Sequence, residues 1–330
     1  MQPSKTGATP LWILALLLLI APLPFAPAHA AAGDPTPFTC SGDMFQVING
    51  QLYQLDVASS TYQPIGTAAN FEYSMGYRRS DDLLYGIVTG TASGTDGDGV
   101  TVNVGDLISI DATGKTRKVA ATGETTNNHN SADIHQGRGT LWARNGDKTT
   151  LSEFDLATGA TLQTITVTGS NTPEIHSEII IIDDTVYSWK NGFLYRFALP
   201  AFGGGSVTAT SAVIQGAPIT SGAGAAFALK DPSNPTKTVI YWPEELTGDI
   251  YKIMDIDTAN PSAVKVSGSP PSSENDGASC PEAAAVFADW DYSDAPAAYG
   301  DATHSIVYGL RLGANIDAEN ASLASANADG

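Results

Sequence analysis

The sequence predicts an all-β protein, a β-propeller of five four-stranded blades whose ring closes by strand exchange between its N- and C-terminal ends. Three observations predict it. The composition is turn-rich, with 33 Gly, 19 Pro and only 4 Met in 330 residues that are 42% hydrophobic, which suits strands and turns better than a helical bundle. One strand–turn–strand–turn–strand unit recurs five times from residue 44 onward. Asn-Gly, which supplies positive φ at both central positions of a type I′ hairpin, stands between the first two strands of three units, at 49–50, 145–146 and 191–192.

The first unit is Met44 to Val47, Leu52 to Asp56 and Tyr62 to Ile65; the second is Leu83 to Val88, Leu107 to Asp111 and Thr116 to Ala120. The third is Leu141 to Arg144, Leu151 to Asp155 and Thr161 to Val167. Val186 to Trp189, Leu194 to Phe197 and Val207 to Ile214 make the fourth, and Val239 to Trp242, Ile250 to Asp257 and Ala263 to Val266 the fifth. The equivalent Asp56, Asp111 and Asp155 lie 55 and 44 residues apart, room for one four-stranded sheet per repeat. Such a sheet cannot bury both faces alone, and radial stacking buries each against its neighbours.

Innermost strands come from the segments ahead of the units: Phe71 to Tyr77, Ser131 to Gln136, Ile175 to Ile181 and Gly222 to Leu229. The first unit has none upstream, so Gly277 to Val286 is expected to close the ring. A sixth blade would have to come from the 89–106 loop, and an open pair of β-sandwich sheets is the alternative architecture.

Residues 1–30 read as a secretory signal peptide: Lys5, the apolar run Leu11 to Ile20, then small residues ending Ala28-His29-Ala30, with cleavage between Ala30 and Ala31. The run is about half of the ~20 residues that a membrane-spanning helix needs, so the product is expected to be secreted and not an integral membrane protein. Export allows Cys40 and Cys280 to form a disulfide across the closing strands. Two free thiols are the alternative, and the lack of a C-x-x-C spacing speaks against zinc. Residues 31–37 are a linker and 38–287 the propeller. Thirty-five acidic against 16 basic residues, a formal charge of −19, repel phosphate backbones, which argues against a nucleic-acid partner.

Phe38-Thr39-Cys40, the run Asn70 to Tyr77 ahead of Asp82 to Ile87, and Asn275 to Cys280 resemble an uncharacterised propeller-type domain of bacterial secreted and surface, adhesin-like proteins. Asp289 to Gly300, with His304 to Gly313 and Ile316 to Glu319, is similar to the D-Y-G-D-A-P segment beside GEVED-type surface domains, so residues 288–330 are expected to be the incomplete start of a second module. The resemblance implies a module that binds or adheres at the cell surface, its partner an extracellular glycan or protein, and it assigns no catalytic residue.

The chemistry-bearing residues are few. Asp133 and His135 on one inner strand, and Glu174, His176 and Glu178 on the next, alternate with the period of two that puts side chains on one strand face. They are the candidate metal ligands of a channel site, and the alternative function is a metal-dependent lyase or hydrolase. The plainer reading makes them solvated channel groups. Calcium is a candidate at Asp96-Gly97-Asp98-Gly99, which fails the EF-hand pattern at Val100 and Leu107, and at Asp289, Asp291, Asp294, Asp317 and Glu319. His129 and His304 have no converging partner in the sequence. No G-x-S-x-G elbow or phosphate-binding loop occurs. Trp142, Trp189, Tyr241 and Trp242 are expected to pack between blades, with sugar stacking as the lesser reading.

Overall fold

A computed structural model describes residues 33–56, 60–90, 92–125, 128–169, 175, 178–216, 224–273 and 275–284, together with the backbone of a short hairpin at 290–292 and 303–305. Residues 1–34 and 35–330 are two separate units. The signal-peptide cleavage point at Ala30 and Ala31, and most of 288–330, lie outside the described residues.

Five antiparallel sheets form the blades, each built from the inside outward. Blade 1 is β24 (Asn275–Ser279), β1 (Met44–Ile48), β2 (Gln51–Asp56) and β3 (Thr61–Ile65). Blade 2 is β4 (Glu72–Arg78), β5 (Leu83–Thr89), β8 (Asp106–Ile110) and β9 (Thr116–Ala121). Blade 3 is β10 (Ala132–His135), β11 (Thr140–Arg144), β12 (Thr150–Asp155) and β13 (Thr161–Thr168). Blade 4 is β14 (Ile179–Ile182), β15 (Thr185–Lys190), β16 (Phe193–Ala198) and β18 (Thr210–Val213), and blade 5 is β20 (Phe227–Asp231), β21 (Asn234–Pro243), β22 (Asp249–Met254) and β23 (Ser262–Gly268).

The core follows the ring. Its apolar residues fall into five clusters, one at each blade interface, including that between blades 5 and 1, where Met44 and Leu55 meet Phe227, Leu229 and Tyr241. Trp142, Trp189, Tyr241 and Trp242 are all buried in these interfaces, with Trp189 stacked on Trp242. Near the axis the inner strands crowd, and glycine is required: a Cβ on Gly76 would stand 2.6 Å from the Ile134 amide nitrogen, and one on Gly277 would stand 2.8 Å from that of Ala226.

Closure is as expected, by β24 pairing antiparallel with β1 from Ile48↔Asn275 to Met44↔Ser279. Cys40 and Cys280 form the disulfide, with Cα atoms 5.3 Å apart at a sequence separation of 240. Several boundaries differ from expectation. The closing strand starts at Asn275 and ends at Ser279, because Cys280 turns to its partner and Pro281 has no amide hydrogen to continue a ladder. The inner strand of blade 4 starts at Ile179, not Ile175, and that of blade 5 at Phe227. The 89–106 loop is no sixth blade; its hairpin, β6 (Gly94–Thr95) with β7 (Thr101–Val102), folds onto blade 2 through Asp96, which accepts from the Lys118 amide at 2.7 Å.

The expected strand Val207 to Ile214 is divided between two strands, and a third follows it directly. β17 (Gly205–Thr208) adds in parallel to β13 of blade 3, β18 pairs with β16 of blade 4, and β19 (Gln215–Gly216) adds in parallel to β23 of blade 5. One run of chain thus laces three blades at the rim. Asn49-Gly50 and Asn191-Gly192 both take positive φ, as a type I′ turn requires. Asn145-Gly146 does not: there the loop runs to Thr150, positive φ falls on Lys148, and Asp147 closes the turn by accepting from the Thr149 and Thr150 amides.

Candidate ligand site

All five inner strands start at the same end of the ring, and there the chain leaves a cavity of about 290 Å³. Its described lining comes from four blades. Blade 1 gives Val47, Gly50, Asn275 and Asp276, and blade 2 gives Glu72, Tyr73 and Thr89. Asn128, Asn130 and Arg144 come from blade 3, and Gly224 and Glu245 from blade 5. Deeper along the inner strands the free space shrinks to about 20 Å³ beside Asp133, Gln136 and Ile181, the room of a single water.

Asp276 forms the floor, where its carboxylate ties three strands together. One oxygen accepts from the Met75 amide of β4 at 2.6 Å and from the Ala132 amide of β10 at 3.2 Å, and the other from the Gly277 amide at 3.0 Å. Burial pushes its pKa up to about 7 in spite of these bonds. Glu178, immediately before β14, is buried against it and is raised well above the usual carboxylate range, by burial first and then by the charges of Asp276 and Asp133. Among the described residues no amide or hydroxyl reaches either Glu178 oxygen. Glu178 thus lies against Asp276 as a second buried carboxyl, and the Arg144 charge acts on it.

Asp133 performs the same office one step on, accepting from the Ile181 amide of β14 at 2.7 Å and from Ile134 at 2.7 Å, with its pKa raised to about 7 by burial. Ser131 Oγ accepts from the Ile179 amide, and Ser74 donates to the carbonyl of His129. The axis is thus stitched by side chains reaching between inner strands.

The metal candidates of the sequence are placed as follows. Asp133 and His135 both reach toward blade 4, as their spacing predicts, but end on different partners. His135 Nε2 meets Asp184 at 2.9 Å and its Nδ1 accepts from the Arg138 amide, which puts the ring proton on Nε2. Glu178 belongs to the Asp276 pair. Glu174 and His176 lie outside the described residues. Among the described residues no group of three or more His, Cys, Asp or Glu side chains could hold a metal ion.

In the calcium candidate, Asp96 accepts from the Asp98, Val100 and Lys118 amides, and Asp98 pairs with Lys115 and Arg117. Both carboxylates are thus engaged by protein donors. In the tail, Asp289, Asp294, Asp317 and Glu319 lie outside the described residues, and Asp291 falls in the short hairpin. His129 is a buried clip, 3.1 Å from Glu124 and edge-on to Phe154.

Sequence reasoning did not single out Glu72, Asn128, Asn130, Arg144, Glu245, Asn275 or Asp276 as site residues. The available signal was positional. Asn70, Asn128, Asn130 and Asn275 all cluster where an inner strand begins, the end that opens into the cavity. Among the described residues no helix is long and apolar enough to cross a membrane.

A family model described as a repeat of unknown function (DUF6923) matches residues 43–282. A comparison with curated proteins finds no match. Among solved structures the chain is similar to an auxiliary nutrient binding protein from Bacteroides thetaiotaomicron, with 12% identity, 73% of this chain and 59% of that one covered, and a TM-score of 0.43. It is also similar to an auxiliary nutrient binding protein from Bacteroides ovatus (10%, 63% and 54% covered, 0.40). A third is the dihydro-heme d1 dehydrogenase NirN (15%, 72% and 57% covered, 0.37). The chain spans between 54% and 59% of the length of these three structures.

Proposed function

From the premise that the chain belongs to the family of DUF6923 repeats, we propose that it is an exported binding module, without catalysis, that takes a small polar ligand in the mouth of its channel. The observation that carries the reading is the cavity: about 290 Å³, one-sided, and walled by polar side chains from four blades. That volume is close to the lower end of the range of small-molecule sites. Its buried floor carboxyls are spent on holding inner strands, and the wall above is left to meet a ligand.

Export rests on the leader-like residues 1–30 with cleavage before Ala31, and a surface setting on the resemblance of Asp289 to Gly300 to segments of surface proteins. The disulfide suits an oxidising compartment.

The test is a thermal-shift screen of the full chain against sugars, amino sugars, amino acids, polyamines and nucleotides. Ligands that stabilise it should lose at least about tenfold in affinity with Gly224→Val, since a Cβ at Gly224 would stand 2.7 Å from Glu245 Oε1 and closer still to Asn275 Oδ1. A screen without hits, or hits indifferent to Gly224→Val, would overturn the reading.

A further inference from the structure

The five blades guard their outer edges unequally. A sheet edge offers unpaired N–H and C=O groups to any strand that arrives, and folded proteins blunt it with cover, proline or charge. Blade 1 ends on β3, which carries Pro64. On blade 2 the hairpin of β6 and β7 closes β9: the Gly97 amide donates to the Thr116 carbonyl at 2.8 Å, and Asp96 accepts from the Lys118 amide at 2.7 Å. Blades 3 and 5 are finished by β17 and β19. Blade 4 ends on β18, which pairs with β16 in unbroken register and with no other described strand. The Ile214 amide donates to the Gly192 carbonyl at 2.9 Å, so the alternation of the ladder turns the main-chain N–H and C=O of Val213 outward.

The chain around this edge is unlike the rest. From Phe197 to Leu229 there is no Asp, Glu, Lys, Arg or His, although 15% of the sequence is charged. Six large hydrophobic side chains are exposed among the described residues, and four of them belong to this run or to the strands it covers. Phe202, 74% exposed, precedes β17, and Val213, 51% exposed, ends β18; Leu162 lies on β13 and Val264 on β23. The Arg138 guanidinium, 5.9 Å from the Phe202 ring, is itself ion-paired with Glu153 and Asp184. Charge decides between occupants. The formal charge of −19 opposes contact between two copies over the surface at large, and the uncharged run removes that obstacle locally. A basic partner finds no counter-charge on this run and is drawn to the acidic surface elsewhere. A strand edge is also its own complement, since two copies of β18 related by a two-fold axis run antiparallel.

We propose that the chain self-associates through this rim, two copies joining blade 4 to blade 4 by antiparallel pairing of β18 with β18, with Val213 in the contact. The inference is independent of the mouth and of what the mouth binds.

Sedimentation equilibrium of the full chain tests it, over about 5 to 500 µM, the range of a weak dimer. The mass should rise from one copy toward two and no further, because a two-fold contact closes on itself. Association should strengthen as salt screens the repulsion between the acidic copies. Val213→Lys, at an exposed side chain, should weaken association about tenfold or more by placing like charges at the shared edge. Leu246→Lys, on an exposed side chain in the turn between β21 and β22, should leave it unchanged. An unchanged melting temperature in both variants separates a lost contact from a lost fold. The inference is overturned if the chain stays monomeric across the range, if Val213→Lys associates like the parent chain, or if Leu246→Lys weakens association as much.

Discussion

The axis and the rim of this propeller use the same bond to opposite effect. At the rim, Asp155 ends β12 and one oxygen accepts from the Ala157 amide, the Thr158 amide and the Thr158 hydroxyl. Asp111 does the same after β8 with Thr113 and adds Arg117. Their pKa values fall, that of Asp111 to about 2. At the axis, Asp133 and Asp276 accept equally good amide bonds, yet burial drives both up to about 7. What differs is that Asp155 is partly exposed and that Asp111, itself buried, has the Arg117 guanidinium as a partner, while Asp133 and Asp276 accept from amides alone. A hydrogen bond lowers a carboxyl only where desolvation does not outweigh it, so the rim holds its turns with charge while the axis holds its blades with carboxyls that stay close to neutrality.

The largest break in the comparison is Asp276→Ala. It strands the Met75, Ala132 and Gly277 amides at a buried position beneath the mouth, and an orphaned buried donor costs about 1–3 kcal/mol. We expect a loss of about 3–5 kcal/mol in urea unfolding. A loss under about 1 kcal/mol would mean that the axis relaxes and that its bonds do not join the blades.

Acid and base should then separate the two regions. Asp133 titrates near 3.8 unfolded and about 7 folded, so the folded state keeps a proton that the unfolded chain releases. That stabilisation is complete below about pH 4 and is lost as pH rises through about 7. Asp111 runs the other way: its contribution is present above about pH 4 and is lost as pH falls toward about 2. Stability should peak near pH 4–5 and decline toward pH 8. Asp133→Asn should make the alkaline limb shallower by up to about 1.4 kcal/mol per pH unit, with the acid limb unchanged, as read from urea midpoints across pH. An alkaline limb that keeps its slope in Asp133→Asn would place the titrating group elsewhere.

The rim was the more legible of the two in the sequence. Asp111 and Asp155 marked the repeat because a turn cap is local: the residue, its Thr and its Gly sit within a few positions. Alternation marked the strands, the need for an innermost strand in blade 1 led to β24, and two cysteines in an exported chain led to the disulfide, which the closure supports. The axis is assembled from residues far apart in the chain. Asp276 and Met75 are 201 residues apart, and no local pattern announces their bond. Spacing put Asp133 and His135 on one face but could not say that one would meet the Ile181 amide and the other Asp184. Val207 to Ile214 reads as one strand because its composition carries no break, and the division of 205–216 among three blades is set by their edges.

The smallest effect is the most discriminating one. Asp155→Ala removes a carboxylate with three donors, the same number that Asp276 has, so the two substitutions are matched in bonds and differ in surroundings. Asp155 is partly exposed, and water takes over its amides at once. The turn also keeps its main-chain closure, since the Gly159 amide still donates to the carbonyl of residue 155. The cost should be about 0.5–1 kcal/mol, that of a lost cap at a wet chain reversal, several times below that of Asp276→Ala. Equal losses in the two variants would show that the number of bonds governs stability. A several-fold gap would assign the difference to the surroundings of the two carboxylates, burial of Asp276 first among them.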